Sequence, residues 1–435
     1  MTARNPAAAN TVDELRNKIA AGSRDPKNYS DLASLSFDAG HYDEAIAIHQ
    51  EALRLPLSNL QRGRVHLDLA WLFHWLEKSA QARTEAEEAA RLFSKEPESK
   101  EVTFLRGITE SLLAQCSEDP DTSTNAARLG LRWLNALIAD DPDFENIAFA
   151  YFQAARLHNQ LGNPKEAIKL CKECLQKDLS PEERLDCLVE FVEALRLTRQ
   201  FTEAEHALRE ELKRTNKGNR AKLYSTLGLV LRSSNRPAEA RDFLLEALSE
   251  LKAQADLVTN AALVKEINWT LGELYYESGE YDQAITTYKE LLALYPEDDV
   301  NHRNALSEVG QCYYRKGRLT EAESCYTQVL NSHNASSRER ALIQQGLGNI
   351  YYDLGEYDKA IEAFEKVFAC FPRNDPVCCT SLLWLGYCWE AKGEYEKARC
   401  CYEEVHASPN ASEEEKTSAK ECLAQLPTLP KRTLQ

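Results

Sequence analysis

Cysteine and histidine are the residues of this chain with the most obvious chemical potential. Cys171-x-x-Cys174 has the spacing of a metal-ligand or redox pair, and seven further cysteines crowd the stretch from Cys370 to Cys422. A zinc site, however, needs four thiolates or imidazoles converging tetrahedrally. Cys312 and Cys388 instead recur at equivalent places where related segments carry Leu274 and Ile350, and Cys325 and Cys401 replace Thr287 and Ala363. That pattern reads as small buried hydrophobes, with no metal expected; Cys378, Cys379 and Cys400 are the thiols to test for reactivity. The nine histidines are scattered, and His66 and His74, eight residues apart on one helix face, are too distant to chelate as a pair. No nucleophile elbow, zincin helix, phosphate-binding loop or dinucleotide fingerprint occurs, so neither catalysis nor a cofactor is expected.

The cysteine placement follows a repeat. Ala284, Ala322, Ala360 and Ala398 stand 38 residues apart, each followed four positions later by Tyr288, Tyr326, Phe364 or Tyr402. Upstream of each lies a first glycine (Gly272, Gly310, Gly348, Gly386) and then a second (Gly279, Gly317, Gly355, Gly393). In the segment from Leu271 to Pro296 the apolar residues recur at helical spacing. Gly279 supplies a left-handed stop, Asp282 is expected to cap the next helix, and Pro296 to end it. The small Gly272 and Ala284 would let two helices approach, while Tyr275 and Tyr288 fill the space beside them.

The order L-G-x-x-Y, A-x-x-x-[FY], then Pro resembles the tetratricopeptide repeat, most strongly over residues 265–410. Weaker copies centre on Ala45, Ala82, Ala167, Ala204 and Ala240, and the gap before Ala167 fits one more unit around Gly107 and Gly130 with a stretched turn from Cys116 to Asn125. The resemblance implies an all-α superhelix of about ten hairpins with a 36–38 residue period. The expected organisation is a flexible N-terminus (1–10), a leading helix (11–24), the hairpin stack (25–411), a closing helix (412–426) and a loose tail (427–435).

The resemblance also implies that the first helix of each hairpin lines an inner groove. The inner positions are then Trp269, Glu273, Tyr276, Gln311, Tyr314, Arg315, Gln345, Asn349, Tyr352, Asp353, Trp384 and Tyr387. Tyr276, Tyr314 and Tyr352 form a ladder suited to an extended peptide, with packing between hairpins as the alternative. Upstream, Trp71, Trp75, Phe152, Arg156, Asn159, Gln160, Arg196 and Arg232 occupy such positions, and their three arginines could receive an acidic peptide, the alternative being a solvated helix face.

Composition narrows the partner. The 435 residues are 43% hydrophobic and 28% charged, enough apolar material for a continuous core. A net charge of −17 disfavours nucleic acid and anionic lipid. No segment is apolar over a membrane-spanning length, no secretory signal opens the chain, and thirteen cysteines are read as reduced thiols, so a cytoplasmic location is expected. The function expected is that of a scaffold or adaptor binding a peptide, loop or helix of another protein. Peptide sensing and a metal or redox role are the alternatives.

Overall fold

A helix that ends on a left-handed residue can reverse its direction within two or three residues, and among the described residues this chain uses that device in eight of its ten hairpins. The structure, a computed structural model, describes residues 6–76, 78–117, 119–215, 220–253, 260–295, 300–371 and 375–427. Among them every regular element is a helix. Pro296 and most of the C-terminal tail lie outside the described residues. The chain divides into two compact units, residues 1–259 and 260–435.

Unit 1 opens with α1 (Pro6–Ala20) and continues as six hairpins. These pair α2 (Pro26–Asp38) with α3 (Tyr42–Ala52), α4 (Asn59–Trp75) with α5 (Ser79–Phe93), and α6 (Lys100–Cys116) with α7 (Pro120–Asp140). Then α8 (Ile147–Gln160) pairs with α9 (Pro164–Cys174), α10 (Pro181–Leu197) with α11 (Phe201–Arg214), and α12 (Arg220–Ser233) with α13 (Pro237–Ala253). Each second helix also packs on the first helix of the next hairpin, which makes the unit a continuous stack. Ala45, Ala82, Ala167, Ala204 and Ala240 are all fully buried on the second helices.

Unit 2 has four hairpins: α14 (Ala261–Glu277) with α15 (Tyr281–Leu292), α16 (Val300–Arg315) with α17 (Leu319–Asn331), α18 (Ser337–Asp353) with α19 (Tyr357–Val367), and α20 (Pro376–Ala391) with α21 (Tyr395–Ala407). The closing helix α22 (Glu413–Gln425) packs on α20 and α21, contributing Ala419 to their core.

The row of first glycines has a specific partner. A Cβ on Gly272, Gly310 or Gly348 would lie 2.5–2.7 Å from the ring of Tyr288, Tyr326 or Phe364, and Gly386 abuts Tyr402 in the same way. Glycine is thus required because the ring sixteen residues later lies flat on its helix. The four rings and the four alanines are buried, and the equivalent cysteines Cys312, Cys388, Cys325 and Cys401 are buried core members beside them. Cys171 and Cys174 face inward on α9 and are also buried. Cys378 and Cys379 are buried in α20, which removes them as accessible thiols, whereas Cys400 is exposed.

Three local expectations need correction. The first helix begins at Pro6 rather than Thr11; the alanine-rich start, Ala7 to Ala9, has the highest helix propensity available. The stretched turn from Cys116 to Asn125 is short: Asp119 caps α7 by accepting from the Thr122 N–H at 2.8 Å, and Pro120 fits the first helical position, so residues 120–125 are helical. Asp282 does not cap α15. Backbone bonds already close that turn (Gly279 N–H to Tyr276 O, 3.0 Å; Glu280 N–H to Tyr275 O, 2.8 Å), and Asp282 instead accepts from Lys316 of the next hairpin, as Asp358 does from Lys392.

The turn residue itself yields a stability prediction. Gly40, Gly162, Gly279, Gly317, Gly355 and Gly393 hold φ between +72° and +78°, but the hairpins α10/α11 and α12/α13 place Arg199 (φ +58°) and Asn235 (φ +62°) there. A left-handed conformation costs an arginine about 1–2 kcal/mol, and asparagine less. Arg199 is exposed, so Arg199→Gly is expected to raise the thermal midpoint by the equivalent of about 0.5–1 kcal/mol after glycine's own entropic cost. Asn235→Gly should gain less, and an equal or larger gain would contradict the assignment.

Candidate partner-docking site

The first helices of unit 1 are apolar around most of their circumference because they pack on helices to either side. In α4, Val65, Leu67, Leu69, Ala70, Leu72 and Phe73 are all buried, while Asp68, Trp71 and Trp75, at i, i+3 and i+7, form a half-buried to exposed stripe on one face. The same spacing on α8 gives Phe149, Phe152 and Arg156, while α10 offers Asp186 and Glu190. These stripes, with Phe37 of α2, His49 of α3 and Lys222 of α12, line a cavity of about 760 Å³ wholly within unit 1. That size lies in the range of sites that enclose a ligand or several side chains of a bound segment.

Rings form two of its walls. Phe37 meets Trp75 edge-on at 4.9 Å, Tyr42 lies 4.8 Å from the same indole, and Trp75 is nonetheless 45% exposed. Phe149 and Phe152 lie 5.9 Å apart on α8, and the Arg156 guanidinium sits 5.5 Å from the Phe152 ring. An aromatic surface left this open has apolar area to offer a partner.

The polar lining is mostly paired. Arg156 Nε donates to Glu190 Oε1 at 3.0 Å, and Asn159 Nδ2 donates to both Glu190 Oε2 and the Glu190 carbonyl. Lys222 Nζ donates to Asp186 at 2.6 Å. Asp68 accepts from the Ser30 hydroxyl at 3.2 Å, and burial pushes its carboxyl up to about 6 against the opposing pull of Ser30 and Arg64. His49 is 5% exposed, its Nδ1 has no partner, and burial pulls its imidazole down to about 4. Burial, with Arg156 adding to it, also holds His74 below the usual histidine range; its Nδ1 lies 3.4 Å from Cys116 Sγ.

The sequence-derived inner positions of unit 1 therefore separate. Trp71, Trp75, Phe152 and Arg156 line the cavity. Gln160 is tied to the Ala114 carbonyl and Ser123, Arg196 binds Glu193 one turn back, and Arg232 lies half-buried on α12. Two of the three arginines are thus neutralised by carboxylates, which removes the basis for an acidic-peptide patch there. Phe37, His49, Asp68, Phe149 and Glu190 were missed. Extending the i, i+3, i+7 stripe from Trp71 and Phe152 would have found Asp68 and Phe149.

In unit 2 the inner-face residues connect successive first helices. Gln311 donates to the Tyr276 hydroxyl at 3.2 Å, the Tyr314 hydroxyl donates to Asp353 at 2.7 Å, and Tyr352 meets Trp384 edge-on at 5.4 Å. Trp384 in turn packs edge-on against Tyr387. Burial and Asp353 push the Tyr314 phenol up to about 12. Gln345 donates to the Val377 carbonyl and Ser381, and Trp269 donates to Glu273. Asn349 Oδ1 is buried without a partner, while Gln311, Arg315 and Asp353 remain exposed.

Fold and site together define a helical-repeat interaction protein, and comparison with known families fixes the class. Tetratricopeptide-repeat models match residues 29–55, 148–256, 261–335, 301–373 and 346–412. The chain belongs to the tetratricopeptide-repeat proteins. It is an interaction scaffold of that class, whose members bind other proteins and are generally non-enzymatic.

No curated protein sequence matches it. Among solved structures it is similar to yeast Tom70 (13% identity, TM-score 0.46, covering 97% of this chain and 96% of that one). It is also similar to a monomeric IFIT1 mutant with m7Gppp-AAAA (14%, 0.44, 93% and 95%), and to a chain of the APC/C hetero-tetramer Cut9-Hcn1 (13%, 0.42, 94% and 92%). No helix among the described residues is long and apolar enough to cross a membrane.

Proposed function

We propose that this protein docks a segment of a partner protein in the first-helix cavity of unit 1. The observation that carries the reading is the open aromatic lining, with Trp71 and Trp75 on one wall and Phe149 and Phe152 on another, inside a cavity of about 760 Å³. Rings of this kind bury large areas at low entropic cost and act as pockets for alternate side chains of a bound segment. The unit 2 face enters the proposal as a secondary contact surface, on the strength of its exposed Gln311, Arg315 and Asp353. Thirteen free thiols support a reducing, cytoplasmic setting.

Selection of a random peptide library on the full-length protein tests this. Enriched peptides are expected to lose at least about tenfold in affinity on a folded Trp71→Ala, Phe152→Ala double variant. Unchanged binding to that variant would refute the cavity assignment.

A further inference from the structure

The charge around the cavity specifies more than an apolar groove would. Four carboxylates line it (Asp31, Asp68, Asp186, Glu190) against two cationic side chains, Arg156 and Lys222. Both cations are consumed, Arg156 by Glu190 and Lys222 by Asp186. Among the described residues, Asp31, exposed on α2, makes no ion pair, and the one hydrogen-bond donor to Asp68 is the Ser30 hydroxyl. Neither imidazole offsets them, because His49 and His74 are both held below the ordinary histidine range and are neutral near pH 7.

We propose that this cavity selects an arginine or lysine side chain of the docked segment, seating its stem between the rings of α4 and α8 and its cationic head at the Asp68 carboxylate. The inference rests on the docking reading above and names the chemistry of its ligand. An acidic side chain would meet two carboxylates, Asp31 and Asp68, that neither cation of the lining pairs with. An apolar one would cover Asp68 without giving it a partner, which costs more than the rings return. A cation satisfies both features at once, since indole and phenyl faces attract it and the carboxylate pairs with it. The two oxygens of the Asp68 carboxylate suit the forked N–H donors of a guanidinium better than a compact ammonium, so arginine is the preferred occupant.

Four probes differing at one position test the proposal: acetyl-Ala-Phe-X-Phe-Ala-amide with X as arginine, lysine, norleucine or glutamate, titrated calorimetrically into the full-length protein. The arginine peptide is expected to bind at least about tenfold more tightly than the norleucine peptide, with lysine between them and glutamate weakest. Asp68→Asn should abolish most of that preference. Asp31→Asn, at an exposed position where folding is not at risk, should reduce it about two- to fivefold.

Equal binding of the arginine and norleucine peptides, failure of all four to bind, or an undiminished preference in both variants would overturn the cationic assignment. These failures are separable from failure of the docking reading itself. If library-selected peptides without basic residues still require Trp71 and Phe152, docking stands and the cation does not.

Discussion

Placing arginine at Ala360 is expected to destabilise unit 2 by about 4 kcal/mol or more. Ala360 is fully buried at the crossing of α18 and α19, where its Cβ belongs to the same core as Phe364, Leu382 and Leu385. A guanidinium forced into that space brings excess volume, at about 1–3 kcal/mol, and a charge into an apolar core, which costs several kcal/mol more. Gly348→Leu probes the opposing surface of the same contact. Its Cβ would fall 2.5 Å from the Phe364 ring, which is itself fully buried and has nowhere to retreat, so a loss of roughly 3 kcal/mol is expected. Glu362→Ala, two residues from Ala360 but exposed, serves as control and should change stability by less than about 0.5 kcal/mol. Thermal unfolding of the three variants would contradict the register if either core substitution proved as mild as the control.

The second large effect is in pH dependence, where two groups of the unit 1 cavity act in opposite directions. The folded Asp68 carboxyl is raised from the usual carboxylate range to about 6. Folded protein therefore holds a proton there that unfolded chain has released, so the Asp68 contribution is complete below the unfolded value and is lost as pH rises through about 6. His49 is depressed to about 4, and between that value and the ordinary histidine range the unfolded chain holds the extra proton. Its contribution is complete above the ordinary range and is lost as pH falls towards about 4.

Over the shared window the two nearly cancel, and removing either one exposes the other. Between about pH 4 and about pH 7, Asp68→Asn should gain roughly 2–3 kcal/mol relative to the parent, and His49→Leu should lose a similar amount. Urea unfolding of both variants and the parent at the two pH values measures this. Parallel pH profiles for all three would show that neither group is buried as described.

Much of the architecture is written locally. Gly348, Ala360 and Phe364 are each dictated by what touches them, and because the same contact recurs every 38 residues the rule can be read from the sequence. Gly279 is equally legible, since a hairpin turn needs a left-handed residue. Where that signal is replaced, by Arg199 and Asn235, the turn survives because the surrounding backbone bonds are unchanged: Gln200 N–H still reaches Leu195 O and Arg236 N–H reaches Leu231 O.

The cavity was only partly legible, for a physical reason. Trp71 and Phe152 advertise themselves as large side chains off the core stripe, but charge balance is a property of contacts between hairpins. Arg156 reads as a free cation until Glu190, 34 residues later on α10, is seen to hold it. Asp68 reads as a surface carboxylate until Ser30 of α2 and the rings around it are placed. The sign of the expected ligand reverses on those pairings. In unit 2 the ladder of Tyr276, Tyr314 and Tyr352 was readable as a series, while its bonds to Gln311 and Asp353 and its ring contact with Trp384 depend on how successive hairpins stack.

Photo-crosslinking measures the docking surface directly. A library-selected peptide carrying a benzophenone side chain would be irradiated on the full-length protein and the attachment points mapped by mass spectrometry. Attachment to α4 and α8, around Trp71, Trp75, Phe149 and Phe152, is the predicted result. Specific attachment confined to the second helices α5, α9 and α11, or to unit 2 alone, would contradict the account.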